Sequence, residues 1–145
     1  MCIRDSASHD IGLNNLINLG FGGATVPACR IYLKRLVLKY YPKHLIIYAG
    51  DNDIGSGVKP ENALNEFSIF MAEIDELLPK TICYFISIKP SPFRIPYLQN
   101  ISVFNEKVKH MIAAKSNWKF IDLFNPKLDN LGMPSTCFYL SLIHI

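Results

Sequence analysis

His44-Leu45-Ile46-Ile47-Tyr48-Ala49-Gly50-Asp51-Asn52-Asp53 joins an unbroken apolar run to a glycine and three polar side chains. The run has strand length, and a continuous apolar strand suits a parallel sheet covered on both faces. Parallel neighbours need crossover connections, usually helices, so helical patterns are expected on both sides of this run. Upstream, Cys29, Leu33, Leu36, Val37 and Tyr40 recur at three- and four-residue steps, while Arg30, Lys34, Arg35 and Lys39 occupy the other positions. That spacing predicts an amphipathic helix from Val26, with Thr25 as its cap and Pro27 in its first turn. The basic side chains, with Lys43, read as the wet face of that helix.

Downstream, Pro60 and Glu61 open a second helical pattern that carries Leu64, Phe67, Met71, Ile74, Leu77 and Leu78 inward and stops at Pro79. Residues 81–88, TICYFISI, form a second apolar strand, ended by Pro90 and Pro92. A third helix is predicted over residues 96–114, with Ile101, Phe104, Val108, Met111 and Ile112 as its stripe, followed by a strand over residues 119–124. Residues 16–19, closed by Gly20, Gly22 and Gly23, read as a brief strand entering a glycine-rich turn. Alternation of strands and helices predicts one α/β domain over residues 1–145, a mostly parallel sheet in a three-layer sandwich. In such folds ligands bind at the carboxyl ends of the strands. The unusual loops, residues 20–25, 50–57 and 89–94, all fall there.

The 145-residue chain is 50% hydrophobic and 19% charged, enough for one core and too short for two domains. No apolar stretch approaches the roughly 18 residues that a spanning helix needs. Fifteen Lys and Arg against twelve Asp and Glu leave +3, too little to make nucleic acid the expected partner. Cys2, Cys29, Cys83 and Cys137 lie far apart, with no CxxC and no paired histidines, so no metal or other cofactor is expected and the thiols read as free. Residues 1–10 are polar and lack the apolar core of a secretory signal, which makes the cytoplasm the default compartment, with a lost leader left open.

Asn18-Leu19-Gly20-Phe21-Gly22-Gly23 lacks both the G-x-G-x-x-G spacing and a following Lys, so alone it reads as a structural turn. Gly50-Asp51-Asn52-Asp53, taken alone, reads as an Asx turn or helix cap. Paired, two successive strand-end loops offer backbone N–H groups and a side-chain amide, the parts of an oxyanion hole.

In this pairing the chain resembles the SGNH (GDSL-like) hydrolases. Asn18-Leu19-Gly20-Phe21-Gly22-Gly23 is similar to that family's second block and Gly50-Asp51-Asn52-Asp53 to its third, G-x-N-D, while Ser87-Ile88-Lys89-Pro90-Ser91-Pro92 resembles a segment after the fourth strand in one branch. The likeness covers residues 14–138. It implies a flavodoxin-like sandwich and a serine hydrolase acting on carboxylic esters, an acylated lipid or an acetylated carbohydrate. Gly23 and Asn52 would then form the oxyanion hole, with Gly22, Asp51 and Asp53 beside the substrate. The family's D-x-x-H block is matched here by His144 alone, since Ser141 stands where Asp belongs. At the other end Arg4-Asp5-Ser6 replaces the family's Gly-Asp-Ser turn, and Ser6 to Asn18 is too short for the intervening helix and strand, so Ser6 reads as a loop serine. The first strand and last helix of the family fold are expected to be missing, and the chain to be an incomplete, inactive piece. The rival expectation is a flavodoxin-like module that binds a small anion without chemistry.

Overall fold

The computed structural model describes residues 16–135. Three parallel strands, β1 (His44–Ile47), β2 (Ile82–Ile86) and β3 (Trp118–Ile121), lie in the order β1-β2-β3. Ile47, Phe85 and Phe120 sit in register across them. The helices are α1 (Val26–Tyr32), the short α2 (Asp51–Gly55), α3 (Pro60–Leu77) and α4 (Leu98–Ala113). Short 3-10 segments occur at Pro92–Tyr97 and Asn125–Lys127. This is the parallel α/β arrangement expected from the alternating pattern.

One face of the sheet carries the core. Phe67 of α3 stands edge-on to Phe85 of β2 at 4.8 Å, to Phe104 of α4 at 6.1 Å and to Trp118 of β3 at 6.2 Å. T-shaped packing of this kind adds to the burial of large apolar area. Helix α1 joins the same layer through fully buried Val26 and through Arg30, which pairs with Glu66 at 2.6 Å and Glu73 at 3.1 Å on α3. Asp75 closes the far end, accepting from Lys115 Nζ at 2.5 Å, Asn117 Nδ2 at 3.1 Å and Trp118 Nε1 at 2.8 Å.

Four expectations change. Residues 16–19 adopt no regular secondary structure; Ile17 is exposed, and the Asn18 side-chain Oδ1 accepts from Gly20 N at 2.9 Å, a local bond that competes with strand pairing. The described residues cover strand β1 on one face only. Ile47 and Ala49 are buried, whereas Ile46 is 55% exposed, because the described helices stack on the Phe85 side and leave the opposite face open. The helix from Val26 forms as expected, with Thr25 Oγ1 accepting from Ala28 N, but after Tyr32 it widens to a π-helical stretch (Leu33–Val37) and tightens to a 3-10 turn (Leu38–Tyr40). The third helix begins at Leu98, since Pro96 falls within the preceding 3-10 segment.

Candidate functional site

The site forms where β1 ends. Tyr48 and Ala49 lead to Gly50, whose φ of +101° turns the chain into α2. A side chain there would press on Phe104 and Ile88, so the turn packs directly on the core. Helix α2 is held from beneath by fully buried Ile54 and from above by Arg94, whose Nε donates to Asp51 Oδ1 at 2.8 Å.

Two side chains of α2 reach the glycine-rich loop before α1. Asn52 Nδ2 donates to Ala24 O at 2.9 Å, and the carboxylate of Asp53 accepts from Val26 N at 3.3 and 3.1 Å. Asp53 is buried, and burial pushes its carboxyl above the usual range, partly offset by the bond from Val26 N. The bond to Val26 also satisfies a donor in the first turn of α1, which has no partner within the helix.

A primary amide has two donors. One N–H of Asn52 fixes the side chain on Ala24, and the second is directed elsewhere. Gly22, Gly23, Asp51 and Asn52 all border one cavity of about 650 Å³, which continues along Leu33, Leu36, Ile46 and Tyr48. Asp53, expected beside the substrate, is not among the lining residues and ties the two loops together instead. His144 and Ser6 lie outside the described residues.

Among the described residues, the cavity is lined by no serine, threonine or histidine. Cys29 lines it, but burial and the nearby Asp53 carboxylate raise its thiol, which keeps it protonated at neutral pH. Ser87 is fully buried, and its Oγ accepts from Leu123 N at 2.8 Å and Phe124 N at 3.1 Å. Asp122 caps the same turn through Phe124 N at 2.8 Å and Asn125 Nδ2 at 2.7 Å. Among the described residues no His, Cys, Asp and Glu cluster could hold a metal, and no helix is long and apolar enough to cross a membrane.

Sequence reasoning missed Arg94 and the apolar wall. Arg94 stands 43 residues from Asp51, and nothing in the local pattern of its proline-rich loop marks the pairing. The wall carries a partial signal: Leu36 and Ile46 fall in a predicted helix and strand, but nothing local brings them to one place.

No protein-family model matches the chain, and no curated protein does. Solved structures do. A candidate platelet activating factor from Streptococcus pneumoniae superposes with a TM-score of 0.79 at 19% identity, covering 91% of this chain and 65% of that one. A candidate acylhydrolase from Bacteroides fragilis gives 0.72 at 15%, covering 91% and 73%. The OSK domain of Drosophila Oskar gives 0.68 at 19%, covering 79% and 54%. The chain thus spans about two thirds of the length of the first of these and about half of the last. Likeness at such identity is likeness of fold alone, and the fold is a flavodoxin-like α/β type.

Proposed function

We propose that the chain carries the oxyanion-binding part of an SGNH-type hydrolase of carboxylic esters. The observation that supports this most is the 2.9 Å bond from Asn52 Nδ2 to Ala24 O, which ties the α2 amide to the loop holding Gly23 at the mouth of one cavity. In the proposed reaction a serine hydroxyl adds to the ester carbonyl while a histidine takes its proton. The carbonyl electrons move onto oxygen, and the Gly23 N–H with the second Asn52 N–H hold that charge. Collapse expels the alcohol, which receives the proton from the histidine; water then repeats the sequence and releases the acid. Gly22 and Asp51 would flank the substrate, and Asp53 would brace the two loops. His144 is the proposed base.

Titration with acetate tests the reading without requiring a nucleophile. Followed by ¹H–¹⁵N spectroscopy, the Gly23 amide and the Asn52 side-chain amide should shift with one shared saturation curve, and Asn52→Ala should abolish the shift at Gly23. Unchanged resonances at both groups would refute it. The rival reading is a binding module in which the same two loops hold a small anion without catalysis. A fluorophosphonate separates the two, since labelling requires an activated serine.

A further inference from the structure

We infer that Arg94 is a positioning residue for the Asn52 amide and that Gly55 is the seat that admits it, so that the loop after β2 sets how well α2 holds an anion. This rests on the oxyanion reading and deepens it by naming what controls the side-chain donor. Helix α2 has only five residues (Asp51–Gly55), too few to keep its shape without outside contacts. Arg94 meets it at both ends. Its Nε donates to Asp51 Oδ1 at 2.8 Å at the first residue, and at the last a Cβ on Gly55 would overlap Arg94 Nη1 and Cζ. The guanidinium therefore lies along the helix against bare backbone at Gly55, and Asn52 falls between the two contacts. The Arg94 and Asp51 side chains are exposed by only 24% and 26%, so water screens this pair less than it would an open surface pair.

The arm that carries Arg94 is anchored in the core. Where the chain leaves β2, Ile88 is fully buried, and Asn105 of α4 bonds both its backbone groups at 2.9 Å. Pro90 is fully buried as well, and Arg94 N closes the turn by donating to Ser91 O at 2.9 Å. Pro92 and Pro96 fix φ on either side of Arg94. A base this rigid passes its position on to α2. Asn52 Nδ2 and Asp53 tie the same helix to Ala24 O and Val26 N of the glycine-rich loop. With α2 held between two loops, the second Asn52 N–H keeps one direction; with Arg94 released, α2 turns about its bonds to Ala24 and Val26 and that direction is lost. Gly55 is not needed for backbone freedom, since its φ lies outside the left-handed region. Alanine therefore fits the helix there, and its methyl group displaces the end of a flexible side chain rather than the core.

Gly55→Ala thus releases Arg94 without altering it, and the test compares Gly55→Ala, Arg94→Ala and the double variant. Three quantities are read on each: the Asn52 side-chain ¹H–¹⁵N resonances without ligand, the dissociation constant for acetate, and the melting temperature. In both single variants the Asn52 resonances should move toward those of a solvent-exposed asparagine, and acetate should bind about three- to tenfold more weakly. The double variant should bind no more weakly than Arg94→Ala, because Gly55→Ala acts only through Arg94. Gly55→Ala should melt within about 3 °C of the parent, since alanine favours helix over glycine and offsets the lost ion pair. A structural role alone would lower stability and affinity together. Unmoved Asn52 resonances in both single variants, or losses that add in the double variant, overturn the positioning role. Acetate binding of equal strength in parent and variants also overturns it, while leaving the oxyanion reading standing. If the parent binds no acetate, the oxyanion reading falls, and the ligand-free Asn52 resonances alone then decide whether Arg94 positions the amide: moved in both variants they uphold it, unmoved they overturn it.

Discussion

Replacing Gly50 with alanine probes the joint between the core and the site. Gly50 has φ +101°, and a Cβ there would stand 3.0 Å from Phe104 Cε1 and Cζ and 3.1 Å from Ile88 Cδ1. Forcing an L-residue into left-handed backbone costs about 1–2 kcal/mol. The packing part adds to this, because Phe104 and Ile88 are both fully buried and have nowhere to move. Overpacking of this kind costs about 1–3 kcal/mol, for a total of about 2–5 kcal/mol. At roughly 2–4 °C per kcal/mol for a domain of this size, the melting temperature should fall by about 10 °C. Gly57→Ala is the internal control. Gly57 also has positive φ, +86°, but nothing lies within 4 Å of its Cβ position. It should show the backbone part alone, leaving a difference of about 1–3 kcal/mol between the two variants. Thermal and urea melts of both proteins measure that difference. Equal destabilisation by Gly50→Ala and Gly57→Ala would refute the claim that the turn before Asp51 is seated on Phe104.

Asp53→Asn should be at least as stable as the parent at pH 7. The folded-state carboxyl is raised by burial, so its contribution to stability is present below the unfolded value of 3.8 and lost as pH rises through the folded value, while an amide still accepts from Val26 N. Melts at pH 3 and pH 7 check this, and a variant weaker only at pH 7 contradicts it. Asp53→Ala, which leaves the buried Val26 N–H without its acceptor, should cost about 1–3 kcal/mol in the same melts. Cys83 is fully buried with its thiol pushed up to about 12, so iodoacetamide at pH 8 should label it only after denaturation; rapid native labelling would contradict its place under the α-helical layer. The chain is expected to show little or no turnover of short p-nitrophenyl esters. Robust turnover abolished by Ser6→Ala would overturn the reading of Ser6 as a loop serine.

The sheet is legible in its long apolar runs and in the strict spacing of the helices that cover it. Residues 81–88 run apolar because β2 is central, and Phe67, Met71 and Ile74 recur at helical spacing because α3 covers it. Position in the sheet was not legible: Ile46 and Ile47 look alike in sequence, yet one is 55% and the other 6% exposed. Nor was residues 16–19 as an irregular segment, since an apolar run says nothing about whether a neighbour exists to pair with it. The approach of the two loops followed from α/β topology, whereas the bonds that lock them, Asn52 to Ala24 and Asp53 to Val26, join residues nearly thirty apart and leave no local trace. Asn105 is a similar case. It grips both backbone groups of Ile88 at 2.9 Å from the middle of a helix stripe.

A crystal structure of the chain with bound butyrate puts the oxyanion assignment to the test. One carboxylate oxygen should lie about 2.7–3.1 Å from both the Gly23 nitrogen and Asn52 Nδ2, which places those two donors no more than roughly 6 Å apart. A carboxylate bound elsewhere, or an Asn52 amide with both N–H groups on protein carbonyls and the Gly23 N–H facing away from it, would contradict the assignment.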